Sequence, residues 1–206
     1  GLDRLRPLKR LRASRHPLHL LCVARLVEKK GLDHQLRIYA ALQAAGIEFE
    51  AHVVGDGPLR PALEQLAGAL GVAARVTFTG HLPQHEVWNQ LEWADVLLHT
   101  GVIAASGDRD GLPNVIPEAM SIGTLVMTSP AAATTEAITD MVTGLVAPAT
   151  SPDQWVAGLR RLGHDDALAE KLRAAAHRWV EENFDAHKNA ERLLGHFERT
   201  IQAPVR

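Results

Sequence analysis

Cysteine is almost missing from this sequence: Cys22 is the only one in 206 residues. That excludes an internal disulfide framework and a cysteine-built zinc site, and it points to a reducing, cytoplasmic setting. Long apolar runs are lacking as well. No stretch approaches the ~18 residues of a membrane span, and the basic amino-terminal segment has no apolar block of the kind that makes a signal peptide. Charge of one sign is not in excess either. The 22 Lys and Arg against 24 Asp and Glu leave a formal net charge of -2, which removes the broad basic field of a nucleic-acid binder. Any anion must therefore be met by local cations.

What is present is enough apolar material for a core. Hydrophobic residues make up 46% of the chain, and at ~150 residues per domain the length allows one large domain or two small ones. The apolar pattern changes period repeatedly. Residues 19–24 form a short apolar run that reads as a buried strand, and 32–45 then carries Leu32, Leu36, Tyr39, Ala40 and Leu42 at helical spacing. The alternation recurs as strand 49–54 with helix 58–70, and as strand 76–79 with a helix after Pro83 that holds Glu86, Val87 and Leu91. Strand 94–99, helix 113–122, strand 125–128 and a last short strand at 144–147 follow. Such alternation predicts right-handed crossovers and a parallel sheet covered on both faces, a Rossmann-like α/β fold. Beyond residue 153 the pattern is helical only, and Leu168, Leu172, Ala175, Ala176 and Trp179 form a stripe expected to pack back on the sheet.

At the amino terminus Leu2, Leu5, Leu8 and Leu11 recur among Arg4, Arg6, Lys9, Arg10, Arg12 and Arg15. A basic amphipathic helix on an anionic membrane is one reading. Pro7 interrupts it, so a solvated linker running into the first strand is expected instead.

In an open parallel sheet ligands bind outside the carboxyl ends of the strands, so the loops there are the candidate site. The first places Arg25 and Lys30 between a strand end and a helix start, where a phosphate is favoured; the alternative is a pair of solvated charges. The second, Gly55-Asp56-Gly57-Pro58, lacks the third glycine of a dinucleotide fingerprint and follows the second strand, so it reads as a tight turn with Asp56 capping the helix. In the third, residues 107–120, Asp110 and Glu118 are carboxylates suited to accepting hydrogen bonds from sugar or ribose hydroxyls, and Gly111 lets backbone approach a ligand. A loop cap and an exposed helical charge are the alternatives. In the fourth, Thr134 or Thr135 reads as an N-cap. His81 and His85 with Glu86 do not make a zinc face because Pro83 falls between them, so no metal is expected. His99 ends a strand at the ligand edge and is a candidate donor contact, with a packed histidine as the alternative.

Taken in order, these pieces resemble the carboxyl-terminal domain of retaining family-four glycosyltransferases with the GT-B fold. The segments that carry the resemblance are ARLVEKKGLD, VVGDGPLRPALEQLAGALG, RVTFTGHL and ADVLLHTGVIAASGDRDGLPNVIPEAM, and Gly1-Leu2-Asp3 with Leu5 and Pro7 is similar to the family's interdomain linker. The resemblance implies one half of a GT-B fold: a linker at 1–17, a nucleotide-sugar-binding domain with carboxyl-terminal helices at 18–206, and an acceptor-binding amino-terminal domain absent from this chain. It implies that Arg25 and Lys30 hold the donor's diphosphate, that Glu118 binds the ribose, and that Asp110 contacts the transferred sugar. The backbone around Gly111, Leu112 and Asn114 would approach sugar and phosphate, and Gly80, His81 and Leu82 would flank the base. Two departures stand out: the first carboxylate is Asp110 where the family has Glu, and residues 131–136 replace a glycine-rich turn.

The expected activity is transfer of a sugar, with retention, from a nucleotide-diphosphate sugar to a carbohydrate or glycolipid acceptor, in polysaccharide or glycoconjugate synthesis. No cofactor is implied, the donor being a substrate. The full protein is expected in the cytoplasm, with peripheral contact at the inner face of the membrane. A GT-B nucleotide-sugar epimerase and a non-catalytic nucleotide-sugar binding module are the alternatives.

Overall fold

The computed structural model describes residues 7–12, 15–131 and 133–184. Gly1, Leu2, Asp3, Arg4, Leu5, Arg6, Ala132 and the stretch after residue 184, all part of the expectations above, lie outside them. Six strands form one sheet in the order β3-β2-β1-β4-β5-β6, and every pairing is parallel. The strands are β1 (Leu18–Val23), β2 (Phe49–Val54), β3 (Val76–Gly80), β4 (Val96–His99), β5 (Leu125–Thr128) and β6 (Leu145–Val146). The helices are α1 (Leu32–Ala44), α2 (Arg60–Ala69), α3 (Gln84–Trp93), α4 (Val115–Ile122), α5 (Pro152–His164) and α6 (Asp166–Asn183).

Successive strand side chains point to opposite faces, which is why the central strands read as continuous apolar runs. Leu18, Leu20 and Cys22 of β1 join one core with α1, α2 and α5. Leu21 joins the other with α3 and α4. Trp155 of α5 is fully buried in the first core, and its indole N–H donates to the Pro148 carbonyl at 3.0 Å. The long α6 serves both layers: Leu168 and Leu172 belong to the first core, Ala176 and Val180 to the second. The expected stripe therefore packs through Leu168, Leu172 and Ala176, while Ala175 and Trp179 stay half-buried and Val180 takes the last position.

The described part of the amino-terminal segment is docked, which corrects the expectation of a solvated linker. Lys9 donates to the carbonyls of Leu91, Glu92 and Ala94 at the carboxyl end of α3, where a cation meets the negative end of the helix dipole. Arg12 grips both oxygens of the buried Asp95 at 2.9 and 2.7 Å. Arg15 is buried against the Leu162 carbonyl and Asp166. Arg173 of α6, also buried, donates to the Lys9 carbonyl. These cations are spent on the fold rather than offered to a surface. Among the described residues no helix is long and apolar enough to cross a membrane.

Strand order reverses between β1 and β4, with β2 and β3 on one side and β5 and β6 on the other. Loops leaving β1 and β4 therefore diverge at the carboxyl edge and leave a crevice there.

Candidate functional site

A cleft of about 570 Å³ opens at that edge, lined by Arg25 and Asp56 from the first two loops, by His81 and Leu82 after β3, and by Asn114 and Glu118 at the start of α4. Its floor is a set of backbone-locked loops. The Leu26 N–H donates to the Asp56 carbonyl, the Leu59 N–H to the Leu26 carbonyl, and the Gly55 N–H to the Gly80 carbonyl, all within 3.2 Å. Gly55, at φ 129°, is where this contact is closest. Asp56 does not cap α2 as expected: its carboxylate accepts from the Gly57 N–H at 2.7 Å and faces Arg60 at 3.4 Å.

Arg25 is exposed on one lip of the cleft with its charge available. Glu118 lines the same cleft from the first turn of α4, half-buried, and its Oε1 accepts from Gln84 Nε2 at 3.2 Å. Burial pushes its carboxyl above the ordinary glutamate value, with the Gln84 hydrogen bond acting against the rise. Gln84 carried no signal in the sequence, because an exposed glutamine opening a helix is unremarkable until its partner 34 residues away is known.

Lys30 lies in a 3-10 turn, Glu28–Lys30, directly before α1. Its ammonium contacts Asp110 Oδ2 at 2.5 Å, and His99 Nε2 lies 3.4 Å from the same oxygen. Burial opposes charge on Asp110, yet His99 and Lys30 outweigh it and hold the carboxyl well below the usual range. The structure thus brings Lys30, Asp110 and His99 into one buried cluster beside the cleft, and Arg25, His81, Leu82, Asn114 and Glu118 into the cleft itself. Gly80 is buried beneath, where its carbonyl takes the Gly55 N–H. Gly111 and Leu112 continue the loop between cluster and cleft, and beside Gly111 there is open space on the Cβ side.

Lys29 was not singled out by the sequence reasoning. Its ammonium lies 3.1 Å from Asp108 and 3.6 Å from Asp110, and Glu28 accepts from the Ala105 N–H at 2.9 Å. The loop after β4 is fastened in this way to the loop after β1. Two adjacent lysines facing a loop with two aspartates was the available signal. Thr134 does not cap a helix; it sits inside a 3-10 turn, Ala133–Glu136, and its hydroxyl donates to the Ser129 carbonyl at 3.0 Å.

The chemistry on offer is an exposed guanidinium, a half-buried carboxylate lining the same cleft, and a carboxylate tethered to two lysines. That set suits a ligand carrying both phosphate and hydroxyl groups. The family model for glycosyl transferases group 1 matches residues 8–179. The amylovoran biosynthesis glycosyltransferase AmsK of Erwinia amylovora is 34% identical over 92% of this chain and 47% of its own length. The 2-deoxystreptamine glucosyltransferase of Streptomyces kanamyceticus is 29% identical over 87% of this chain and 45% of its own. The chain spans about half the length of the curated relatives it matches. Among solved structures, the C-terminal domain of a glycosyl transferase group 1 family protein (LpcC) from Francisella tularensis is similar with a TM-score of 0.70 at 19% identity, covering 82% of this chain and 87% of that one. Anabaena Alr3699/HepE in complex with UDP reaches 0.75 at 19% identity over 88% of this chain and 49% of that one. The sheet and helix order expected from the sequence is the shared fold.

Proposed function

The chain belongs to the group 1 glycosyl transferases, and from that premise we propose that it is the donor-binding half of an enzyme that moves a sugar from a nucleotide-diphosphate sugar to a carbohydrate or glycolipid acceptor. Retention at the transferred carbon is part of the proposal, on the resemblance of residues 94–120 to the retaining family. The observation that carries the reading is that Arg25 and Glu118 line one cleft at the switch point of the sheet.

In this reading the diphosphate lies against Arg25 and the amino-terminal approach to α1, with Lys30 beneath it. Glu118 accepts hydrogen bonds from the ribose, and His81 and Leu82 flank the base. Asp110 faces the transferred sugar, with backbone at Gly111, Leu112 and Asn114 alongside. As the bond to the sugar breaks, charge grows on the departing diphosphate, and fixed cations contribute more there than in the ground state. The proposal includes no cofactor or metal. That the Anabaena neighbour is in complex with UDP supports a nucleotide as the ligand.

The curated relatives are about twice as long as this chain, and the acceptor site is assigned to the part of such proteins that this chain does not span. Holding donor and acceptor in one geometry is a large share of the rate enhancement. The 206-residue chain should therefore bind donor without transferring its sugar. A calorimetric panel of UDP, GDP and ADP sugars tests the reading: saturable binding of one class, lost in Arg25→Ala, supports it. Absence of binding by all three, or rapid transfer to a carbohydrate acceptor by this chain alone, overturns it.

A further inference from the structure

Building on the donor-binding reading, we propose that His99 is a positioning residue, which aims the Asp110 carboxylate at the donor sugar without touching the donor itself. His99 ends β4 and is 5% exposed. Asp110, which it faces at 3.4 Å, keeps 10% of its side chain in solvent, so the carboxylate is the more open member of the pair.

The geometry gives the ring one task. His99 Nε2 and Asp110 Oδ2 are both shut off from solvent, and neither makes a well-directed hydrogen bond. They face each other at 3.4 Å, while Lys30 contacts the same oxygen from another side. A buried carboxylate oxygen is costly unless opposite charge or a donor holds it. The other ring nitrogen, Nδ1, lies 3.4 Å from Thr128 Oγ1, whose hydroxyl also reaches the carbonyls of His99 and Ser129 at 3.2 Å each. With that hydroxyl donating to Nδ1, the ring proton sits on Nε2, the nitrogen that faces Asp110.

Backbone confines the ring. A Cβ at Gly101 would stand 2.5 Å from His99 Cε1, so the chain passes over the imidazole at a distance only glycine permits. The rest of the loop is fastened by exposed contacts, Lys29 to Asp108 and Glu28 to the Ala105 N–H. Asp110 is thus the buried peg of that loop, and His99 with Lys30 forms its socket. Lys30 is also assigned to the diphosphate and the more exposed Lys29 is shared with Asp108, which leaves His99 as the buried partner facing Oδ2.

The test is the ratio of donor affinity to nucleoside diphosphate affinity, which isolates the sugar contact. It is measured by calorimetry on the 206-residue chain with UDP-glucose, GDP-mannose and ADP-glucose against UDP, GDP and ADP. Asp110→Asn should lower the ratio about tenfold, and His99→Leu and Gly101→Ala about threefold to tenfold, with diphosphate affinity retained. His99→Gln, which keeps a donor facing Asp110, should recover most of the loss. If Asp110→Asn lowers the ratio and His99→Leu and Gly101→Ala do not, the positioning role is wrong and the donor-binding reading stands. Equal loss of diphosphate and donor affinity in His99→Leu shows a structural role only and also overturns the inference. If His99→Leu fails to fold, Gly101→Ala makes the same comparison, as it keeps the imidazole and crowds it from the backbone side. No change of ratio in Asp110→Asn, or no donor bound by wild type, removes the sugar assignment of Asp110 and this inference with it.

Discussion

Gly55 lies so close to Ala24 that a Cβ on the glycine would stand 2.0 Å from the Ala24 carbonyl oxygen. Two residues on, Gly57 meets the Leu26 carbonyl in the same way, at 2.5 Å. Arg25 is the residue between these two contacts, so its backbone is fixed by a neighbouring loop.

Gly55→Ala should therefore act on the site through the fold. A side chain in the left-handed region and a clash with backbone together should destabilise by about 2 to 4 kcal/mol. Nucleoside diphosphate affinity should fall with it as the Arg25 loop is pushed off. Urea unfolding and calorimetry on the same sample check both.

Arg25→Ala separates binding from stability. The side chain is exposed and none of its contacts is needed by the core, so the unfolding midpoint should be unchanged. A charge-assisted hydrogen bond to phosphate contributes about 1.5 to 3 kcal/mol, and nucleoside diphosphate affinity should fall roughly tenfold or more. Lys30→Ala should lose both affinity and stability, because Asp110 is left buried without its ammonium partner.

Glu118→Gln should stabilise the protein while weakening nucleotide binding. The folded carboxyl titrates above the ordinary glutamate value because of burial. As pH rises through the ordinary value, the unfolded chain gives up its proton first, so folding loses stability across that window and does not regain it at neutral pH. The glutamine variant lacks this penalty. Its thermal midpoint should exceed that of wild type at pH 7, with the difference shrinking toward pH 4, while affinity for both UDP and UDP-glucose (or the matching pair) drops alike.

Arg12→Ala should unsettle the docked segment. Asp95 is buried and loses both of its guanidinium contacts, keeping the His19 N–H at 2.9 Å. The cost should be about 2 to 3 kcal/mol, below that of a fully buried pair because a third of the Arg12 side chain is in solvent. Asp95→Asn should cost less, since its amide oxygen still accepts one of these hydrogen bonds. Urea unfolding of the two variants gives the order.

The period of the apolar residues was enough to place the strands and helices, since Leu18, Leu20 and Cys22 alternate with Leu21 between two cores. Helix starts were less legible. Helices expected from Pro58 and Pro113 begin at Arg60 and Val115, because each proline opens a turn before the first helical hydrogen bond. In the site, Arg25 was singled out by its place after a strand and Glu118 by its type in the 107–120 stretch, and both line the cleft. The pairing of Lys30 with Asp110, the grip of Gln84 on Glu118 and the docking of Lys9 and Arg12 were not legible. Each joins residues from 34 to 85 positions apart, and local spacing carries no record of such contacts. Arg173, which the sequence reading did not single out, is another case: it is buried and donates to the Lys9 carbonyl.

The backbone locks among residues 24–26, 55–59 and 80 also bear on how this protein diversifies. Those loops hold one another by N–H and carbonyl groups, so the exposed side chain of His81 hangs from a frame that does not depend on its identity. Substitution there changes what lines the cleft with little effect on folding. Leu82 is held to the second core, and Gly55 and Gly57 admit almost no side chain.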